Sequence, residues 1–458
     1  MVRSIQTINP ATGEVIETYP LMSDDTVDAK VAAAHAAFEQ WKTRPLAERG
    51  EIVRRIGALL RERENELAGL MTREMGKPIS QCGGETGLCA AICDYSADHA
   101  ADVLSDEQRE FDGGQGLITY QPMGVILGIQ PWNFPVYQVV RYAIASIIAG
   151  NAVLLKHAPN VWGTALALER LFADAGLPAG VFTVLLIDTD QTARLIENDH
   201  VRGVTLTGSP AAGRAVGAKA GACLKKSVLE LGSNDAYMIL EDADLDTAVS
   251  ACVQGRIYNA GQTCIAAKRF IVVDAIYDEF RRRLFEQLSA IEYGDPTDPN
   301  TALGPLARAD LRDNLHDQVQ RSIAAGATCA LGGERPEGPG SFYPVTLLED
   351  VAAGTPAYEE ELFGPVAVLI RAADEADAIR IANDSRFGLG GGVFAGDRAR
   401  ATHIARDLFD TGMVNVNGFN MAQPELPFGG VKDSGYGREH GGFGMREFVN
   451  IKSVMIAE

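Results

Sequence analysis

No stretch of this sequence approaches the roughly 18 unbroken apolar residues that a membrane-spanning helix needs, so its 46% apolar content points to buried cores rather than to a bilayer. Basic residues are also scarce: 41 Lys plus Arg stand against 61 Asp plus Glu, a formal net charge of −20. With no Lys/Arg run to offset it, that charge repels phosphate backbones and anionic membrane surfaces, which excludes nucleic-acid and membrane partners. There is no C-x-x-C pair among the seven cysteines, Cys82, Cys89, Cys93, Cys223, Cys252, Cys264 and Cys329. An odd, scattered set suits the free thiols of a reducing compartment. Cys89 and Cys93 are spaced to share a metal, but no paired His or second cysteine pair lies nearby, so they read as packing thiols and no metal is expected. The opening Met1-Val2-Arg3-Ser4 leads straight into an Asn9-Pro10-Ala11-Thr12-Gly13-Glu14 turn without an apolar h-region, so a cytoplasmic protein is expected.

At 458 residues the chain exceeds one ordinary core, and it shows no internal repeat or low-complexity tract. Val27, Val31, Ala34, Phe38 and Trp41 recur at helical spacing. A longer amphipathic helix is expected through Ile52, Ile56, Leu59, Leu60, Leu67 and Met71, stopped by Gly76-Lys77-Pro78. From Val125 to Leu240, apolar runs at Val125 to Ile129, Ala152 to Leu155, Val181 to Leu186, Val204 to Leu206 and Val228 to Leu231 alternate with helical patterns. This predicts an α/β fold with a doubly wound parallel sheet, whose ligands gather beyond the carboxyl ends of the strands. A second alternating set, Phe270 to Val273, Val366 to Ile370, Gly392 to Ala395 and Met413 to Val416, predicts a second α/β unit. Phe448 to Ile456 alternates like a strand with no partner nearby in sequence, which invites pairing with a neighbouring subunit.

Polar residues stand where such a sheet would hold a ligand: Trp132-Asn133 after the first strand, Lys156 after the second, Gly208-Ser209 after the fourth and Glu230 after the fifth. Cys264, between Gly261-Gln262-Thr263 and Ile265-Ala266-Ala267, is placed for an unobstructed nucleophilic sulfur, although composition alone does not separate it from Cys252 or Cys223. Glu230, inside an apolar strand end, is expected to have a raised pKa and to serve as a base, or else to form a buried ion pair. Together with Pro131-Trp132-Asn133-Phe134-Pro135, Glu361-Leu362-Phe363-Gly364-Pro365 and Pro427-Phe428-Gly429-Gly430-Val431-Lys432, this set resembles the aldehyde dehydrogenase superfamily over essentially the whole chain.

The resemblance implies a cofactor domain from 1–103 and 121–231 and a catalytic domain from 232–445. It further implies a small β arm from 104–120 and 446–458 that builds homodimers or homotetramers. It assigns Cys264 as the nucleophile that attacks an aldehyde carbon, Asn133 with the Cys264 backbone N–H as oxyanion donors, and Glu230 as the base that activates hydrolytic water. The carboxylate at Glu230 favours the hydrolytic branch over relatives that pass the acyl group to coenzyme A. For NAD or NADP it places Lys156 at the adenosine ribose, Gly208 and Ser209 near the phosphates, Glu361 at the nicotinamide ribose and Phe363 beside the nicotinamide, with Trp132, Pro159 and Leu231 also against the cofactor.

Two positions depart from the family pattern. Pro159 stands where many NAD-preferring members carry a ribose-binding glutamate, so a 2′-phosphate meets no like charge and NADP is expected to be accepted beside NAD. Ser233-Asn234 replaces a second glycine and its usual successor. Arg141 stands where succinate-semialdehyde dehydrogenases of bacteria carry an arginine, which implies an aldehyde with a distal carboxylate. Lys156-His157-Ala158-Pro159-Asn160 resembles the same branch, while Tyr258 replaces another arginine seen in some of its members. A structural salt bridge at Arg141 is the competing reading; it would favour neutral aliphatic or aromatic aldehydes, with Trp162, Tyr137 and Phe419 as candidate contacts. A catalytically silent scaffold is the reading from another class, against which Cys264, Glu230 and Asn133 together argue.

Overall fold

Runs of Val, Ile and Leu that carry no polar alternation are stable as strands only where both faces are covered, and in this chain they form parallel sheets flanked by helices. The computed structural model describes residues 3–457. The first sheet has six strands in the spatial order Gly435–Tyr436, Lys226–Glu230, Val201–Thr207, Val125–Gln130, Ala152–His157 and Phe182–Val184. All are parallel except the short Gly435–Tyr436 strand, which runs antiparallel against Glu230 and Leu229.

The second sheet orders Thr328–Leu331, Thr346–Glu349, Val366–Ala372, Arg269–Val273, Ala236–Ile239, Gly391–Phe394 and Asn415–Val416. Only its first pair is antiparallel. Ala236–Ile239, unforeseen as a strand, lies between Arg269–Val273 and Gly391–Phe394.

A third, antiparallel sheet joins Val449–Ala457, Gly114–Pro122 and Glu107–Phe111. The last strand therefore finds its partner within its own chain, Val449 opposite Pro122 through to Ala457 opposite Gly114, rather than waiting for a neighbour. Its sequence partner is remote, which is why local reading left it alone. It still exposes Ile451, Met455 and Ile456.

The helix Asp24–Trp41 buries the five expected apolar residues, and the Ser23 side chain caps it by accepting from the Thr26 N–H. The longer helix expected after it is two, Leu46–Glu62 and Glu64–Met75, broken where Arg63 leaves helical backbone angles and pairs with Asp174. Cys89 and Cys93 lie buried in the helix Ile79–Leu104. Among the described residues no helix is long and apolar enough to cross a membrane, and no group of three or more His, Cys, Asp or Glu is placed to hold a metal ion.

Two glycines test how tightly the first sheet is covered. At Gly128, in the strand Val125–Gln130, a Cβ would overlap the buried Tyr142 ring, whose hydroxyl donates to the Leu154 carbonyl at 3.2 Å. Gly69, in the helix Glu64–Met75, has open space around it. Gly128→Ala is expected to destabilise the protein by about 1–3 kcal/mol through overpacking. Gly69→Ala should stabilise it by about 0.5–1 kcal/mol. Opposite shifts of the calorimetric melting temperature are the expected readout.

Candidate active site

The loop Pro131–Val136 connects the strand Val125–Gln130 to the helix Tyr137–Ile148, which has no side-chain cap of its own. Glu85 supplies one from another helix: its Oε1 accepts the Val136 N–H at 2.8 Å and the Tyr137 N–H at 2.9 Å. Its Oε2 pairs with Lys77 in a fully buried ion pair, and the Lys77 Nζ lies 3.8 Å over the Phe134 ring. On the other side the buried His157 Nε2 bonds the Pro135 carbonyl at 2.9 Å. Held in this way, Asn133 is buried and its Nδ2 donates to the Gln262 carbonyl at 3.0 Å, while Gln138 Nε2 donates to its Oδ1 at 3.4 Å. The carbonyl on one side and the amide donor on the other fix which way the Asn133 amide faces.

Gln262 is two residues from Cys264, so the amide contact brings the expected oxyanion donor to the loop of the expected nucleophile. Burial pushes the Cys264 thiol up to about 12, against the opposing pull of Arg141 and Lys268. Lys268, itself fully buried, donates from Nζ to the Cys264 carbonyl at 2.5 Å and pairs with Glu361 Oε1 at 3.4 Å. The same Glu361 oxygen accepts the Ser233 N–H at 3.0 Å. This network explains the Ser233 departure. A Cβ at Gly232 would run into the Glu361 carboxylate, so glycine is needed there. Ser233 has no left-handed backbone to satisfy, and its hydroxyl is absorbed by Asp235.

Glu230 ends the strand Lys226–Glu230 with both carboxylate oxygens buried and, among the described residues, without a hydrogen-bond donor. Burial raises its pKa well above the usual carboxyl range, and Glu439 adds to the rise while Arg141 and Arg438 oppose it. A Cβ at Gly429, whose φ is +153°, would sit 2.8 Å from Glu230 Oε1. The Pro427-Phe428-Gly429-Gly430 motif therefore passes so close to the base that only a glycine leaves room for it.

A cavity of about 260 Å³ gathers Trp132, Asn133, Gly208, Ser209, Leu231, Gly232, Cys264, Glu361 and Phe363 on its walls. Trp132 and Phe363 meet edge to face at 5.9 Å. Ser209 caps the 13-residue helix Pro210–Ala222 and opens its first turn toward the cavity, and a Cβ at Gly208 would meet open space. An apolar slot, an amide-rich helix start and a carboxylate at the far end fit the phosphates, ribose and ring of a nicotinamide dinucleotide. Lys156 lies inside the strand Ala152–His157 rather than after it, Pro159 follows that strand, and neither lines this cavity. Burial lowers the Lys156 pKa, partly countered by Asp188.

Arg141 also lies off these walls. Its side chain is 1% exposed, pairs through Nε with Glu439 and donates from Nη2 to Thr207 Oγ1 at 2.8 Å. The guanidinium lies over the Tyr137 and Phe428 rings at 5.2 and 4.9 Å, and its Nη1 has no hydrogen-bond partner among the described residues. A second cavity, of about 340 Å³, is lined by Phe134, Tyr137, Tyr258, Phe419 and Met421 beside polar Gln254 and Gln423. Trp162, offered as a substrate contact by the sequence, is instead core: it is fully buried and donates from Nε1 to the His157 carbonyl at 3.3 Å. Sequence reading did not anticipate Lys268 and Glu439; the former is detectable only as one of two adjacent cations, with Arg269, inside the apolar run from Ile265 to Val273, and the latter carries no local signal.

Comparison with known proteins accords with this geometry. The aldehyde dehydrogenase family model matches residues 2–454. The chain is 47% identical to a succinate-semialdehyde dehydrogenase [NADP(+)] of Deinococcus radiodurans, covering 99% of this chain and 94% of that one. It is 46% identical to the succinate semialdehyde dehydrogenase [NAD(P)+] Sad of Escherichia coli, covering 98% and 96%. The solved structure of succinic semialdehyde dehydrogenase from Streptococcus pyogenes in complex with NADP+ superposes with a TM-score of 0.97 at 40% identity, over 99% of this chain and 100% of that one. The family model's match over residues 2–454 and the near-full-length relatives at 46–47% identity show that this protein belongs to the aldehyde dehydrogenase family.

Proposed function

We propose that this chain oxidises succinate semialdehyde to succinate through a covalent thioester on Cys264, with NADP as its preferred cofactor and NAD as an alternative. The observation that carries the reading is the shared wall of one cavity, where Cys264 and Asn133 face Glu361, Phe363 and the start of the helix Pro210–Ala222. The relatives at 46–47% identity supply the aldehyde and the cofactor. Among the described residues all seven cysteines are free thiols, which suits action in the cytoplasm. The apolar residues on the last strand, Ile451, Met455 and Ile456, support a homodimer or homotetramer built through the arm sheet.

In this reading Cys264 gives up its thiol proton to solvent as its sulfur attacks the carbonyl carbon, and the carbonyl electrons move to oxygen, where the Asn133 amide and the Cys264 backbone N–H receive the charge. Held by Trp132, Glu361 and Phe363 in the slot, a nicotinamide would supply the acceptor for the hydride that the substrate carbon loses, which leaves a thioester on Cys264. Glu230 then removes a proton from water, the hydroxide adds to the thioester carbon, and the carbon–sulfur bond breaks to release the acid and the thiolate. Glu361 and Lys268 orient the cofactor ribose relative to the nucleophile, since both touch the same short network that reaches the Cys264 carbonyl.

The distal carboxylate is assigned to Arg141, whose Nη1 is uncommitted and whose guanidinium overlies Tyr137 at the wall of the second cavity. A second reading has its own observation in favour: Arg141 is already paired with Glu439, and the second cavity is lined by Phe134, Tyr137, Tyr258 and Phe419 without a lysine or arginine. In that reading neutral or aromatic aldehydes are the better substrates.

Three outcomes are expected. Ionised Glu230 is the active form and its pKa is raised, so kcat rises with pH through an inflection above the ordinary carboxyl range. In Glu230→Gln that limb disappears and steady-state turnover falls by about 10²–10⁴-fold, while the first-turnover burst of reduced cofactor persists. For the substrate, kcat/KM is compared for succinate semialdehyde and butyraldehyde. Because removing one partner of a buried ion pair costs about 3–5 kcal/mol, Arg141→Leu is paired with Glu439→Gln in one protein. A wild-type preference for the semialdehyde that collapses in the double variant supports Arg141; a preference that survives, or never existed, overturns that assignment. For the cofactor, Pro159→Glu is expected to shift the NADP-to-NAD ratio of kcat/KM toward NAD by at least about tenfold, through repulsion of the 2′-phosphate.

A further inference from the structure

Catalysis in this site needs two loops from different parts of the chain to stay in register: Pro131–Val136, which carries Asn133, and the segment from Tyr258 to Cys264. We propose that Asn259 is the positioning residue that sets this register. Its side chain is fully buried, and its Nδ2 donates to the Asn133 carbonyl at 2.7 Å and to the Gln262 carbonyl at 3.3 Å. The Gln262 carbonyl is the same oxygen that receives the Asn133 amide at 3.0 Å. A closed ring results, running from the Asn259 amide to the Asn133 backbone, through the Asn133 amide to Gln262, and back. One N–H of the Asn133 amide is held in this ring, and the other has no acceptor among the described residues, which leaves it free for an oxyanion.

The backbone around Asn259 points the same way. Asn259 (φ 55°, ψ 37°) and Ala260 (φ 53°, ψ 32°) are both left-handed, and Gly261 follows with φ +73°. Asparagine tolerates that region better than most residues, whereas alanine does so at a cost that its surroundings must hold. On one side the turn is held by Asn259: its N–H donates to Gln81 Oε1 at 2.8 Å, and its carbonyl accepts the Gln262 N–H at 3.0 Å and Gln262 Nε2 at 3.2 Å. On the other it lies against the Gly364 backbone, so closely that a Cβ at Gly261 would overlap the Gly364 carbonyl. A side chain that served only to fill the core would not need its donors on the backbones of these two loops.

The inference rests on the reading of Cys264 as nucleophile and Asn133 as oxyanion donor, and its test separates the two. Asn259→Gly keeps the left-handed backbone and removes the donor, whereas Asn259→Asp keeps the shape and turns an oxygen toward two carbonyls. In each, the first-turnover burst of reduced cofactor, the KM for NADP and the rate of Cys264 alkylation by iodoacetamide are measured. Alkylation displaces iodide and forms no oxyanion, so it reports the thiol without the donor. The burst is expected to slow by about 100-fold in both variants, the loss typical of a donor displaced by about 1 Å. The KM for NADP and the alkylation rate should stay within about threefold of wild type. A burst within about threefold of wild type in Asn259→Gly would overturn the proposal, because backbone conformation alone would then suffice. Alkylation that falls in step with the burst would overturn it too, because Asn259 would then be holding the whole nucleophile loop. Cys264→Ala is the control on the underlying reading: if turnover survives there, it is the nucleophile assignment that fails.

Discussion

A carboxylate buried with neither oxygen hydrogen-bonded is among the least comfortable groups a protein can hold, and the neighbourhood of Glu230 is arranged around keeping it in that condition. An arginine paired directly with it would hold it ionised and poorly basic. Arg141 is near enough to counter its charge, yet the guanidinium is engaged by Glu439 and Thr207 instead. Because Arg141 is paired with Glu439, its charge acts on Glu230 without a direct ion pair between them. The charge balance thus belongs to the three groups together, and changing any one alters the proton affinity of the other two.

The same constraint accounts for the route of the C-terminal chain. Room for the Glu230 side chain requires a glycine at 429, and the segment that carries it continues into Gly435–Tyr436, which pairs antiparallel with Glu230 and Leu229 at the edge of the first sheet. Glu439 follows a few residues later and reaches Arg141. The chain then forms the last strand of the arm sheet. One pass from Pro427 to Val449 therefore makes space for the Glu230 side chain, closes the sheet edge beside it and supplies the partner of Arg141.

Much of this fold was readable because strands buried on both faces appear as unbroken apolar runs, as at Val125–Gln130, Ala152–His157 and Val366–Ala372. Ala236–Ile239 escaped because the five residues between Asp235 and the acidic Glu241 give too short a run to separate a strand from a loop. Gly435–Tyr436 carries no apolar pattern at all; only the register with Glu230 makes it a strand. In the site, Cys264, Asn133, Glu361 and Phe363 were legible through the motifs around them, and the structure gathers them on one cavity. Lys268, Glu439 and Asn259 were not, because their roles lie in contacts with partners remote in sequence or in a left-handed turn that ordinary residues do not announce.

Burial acts on the nucleophile and the base alike. It raises the pKa of the Cys264 thiol and of the Glu230 carboxyl, so for each the charged form is the one that burial disfavours. In the proposed mechanism the charge that leaves the Cys264 sulfur passes to the substrate oxygen, for which the Asn133 amide, already fixed against the Gln262 carbonyl, is the donor. The site thus favours forming the carbon–sulfur bond over forming a free thiolate. Its selectivity for a carbonyl, the group that can move charge from sulfur to oxygen, follows from where the donors are fixed before the substrate arrives. That is also why the placement of the Asn133 loop against the Cys264 loop bears more on rate than the intrinsic reactivity of the thiol.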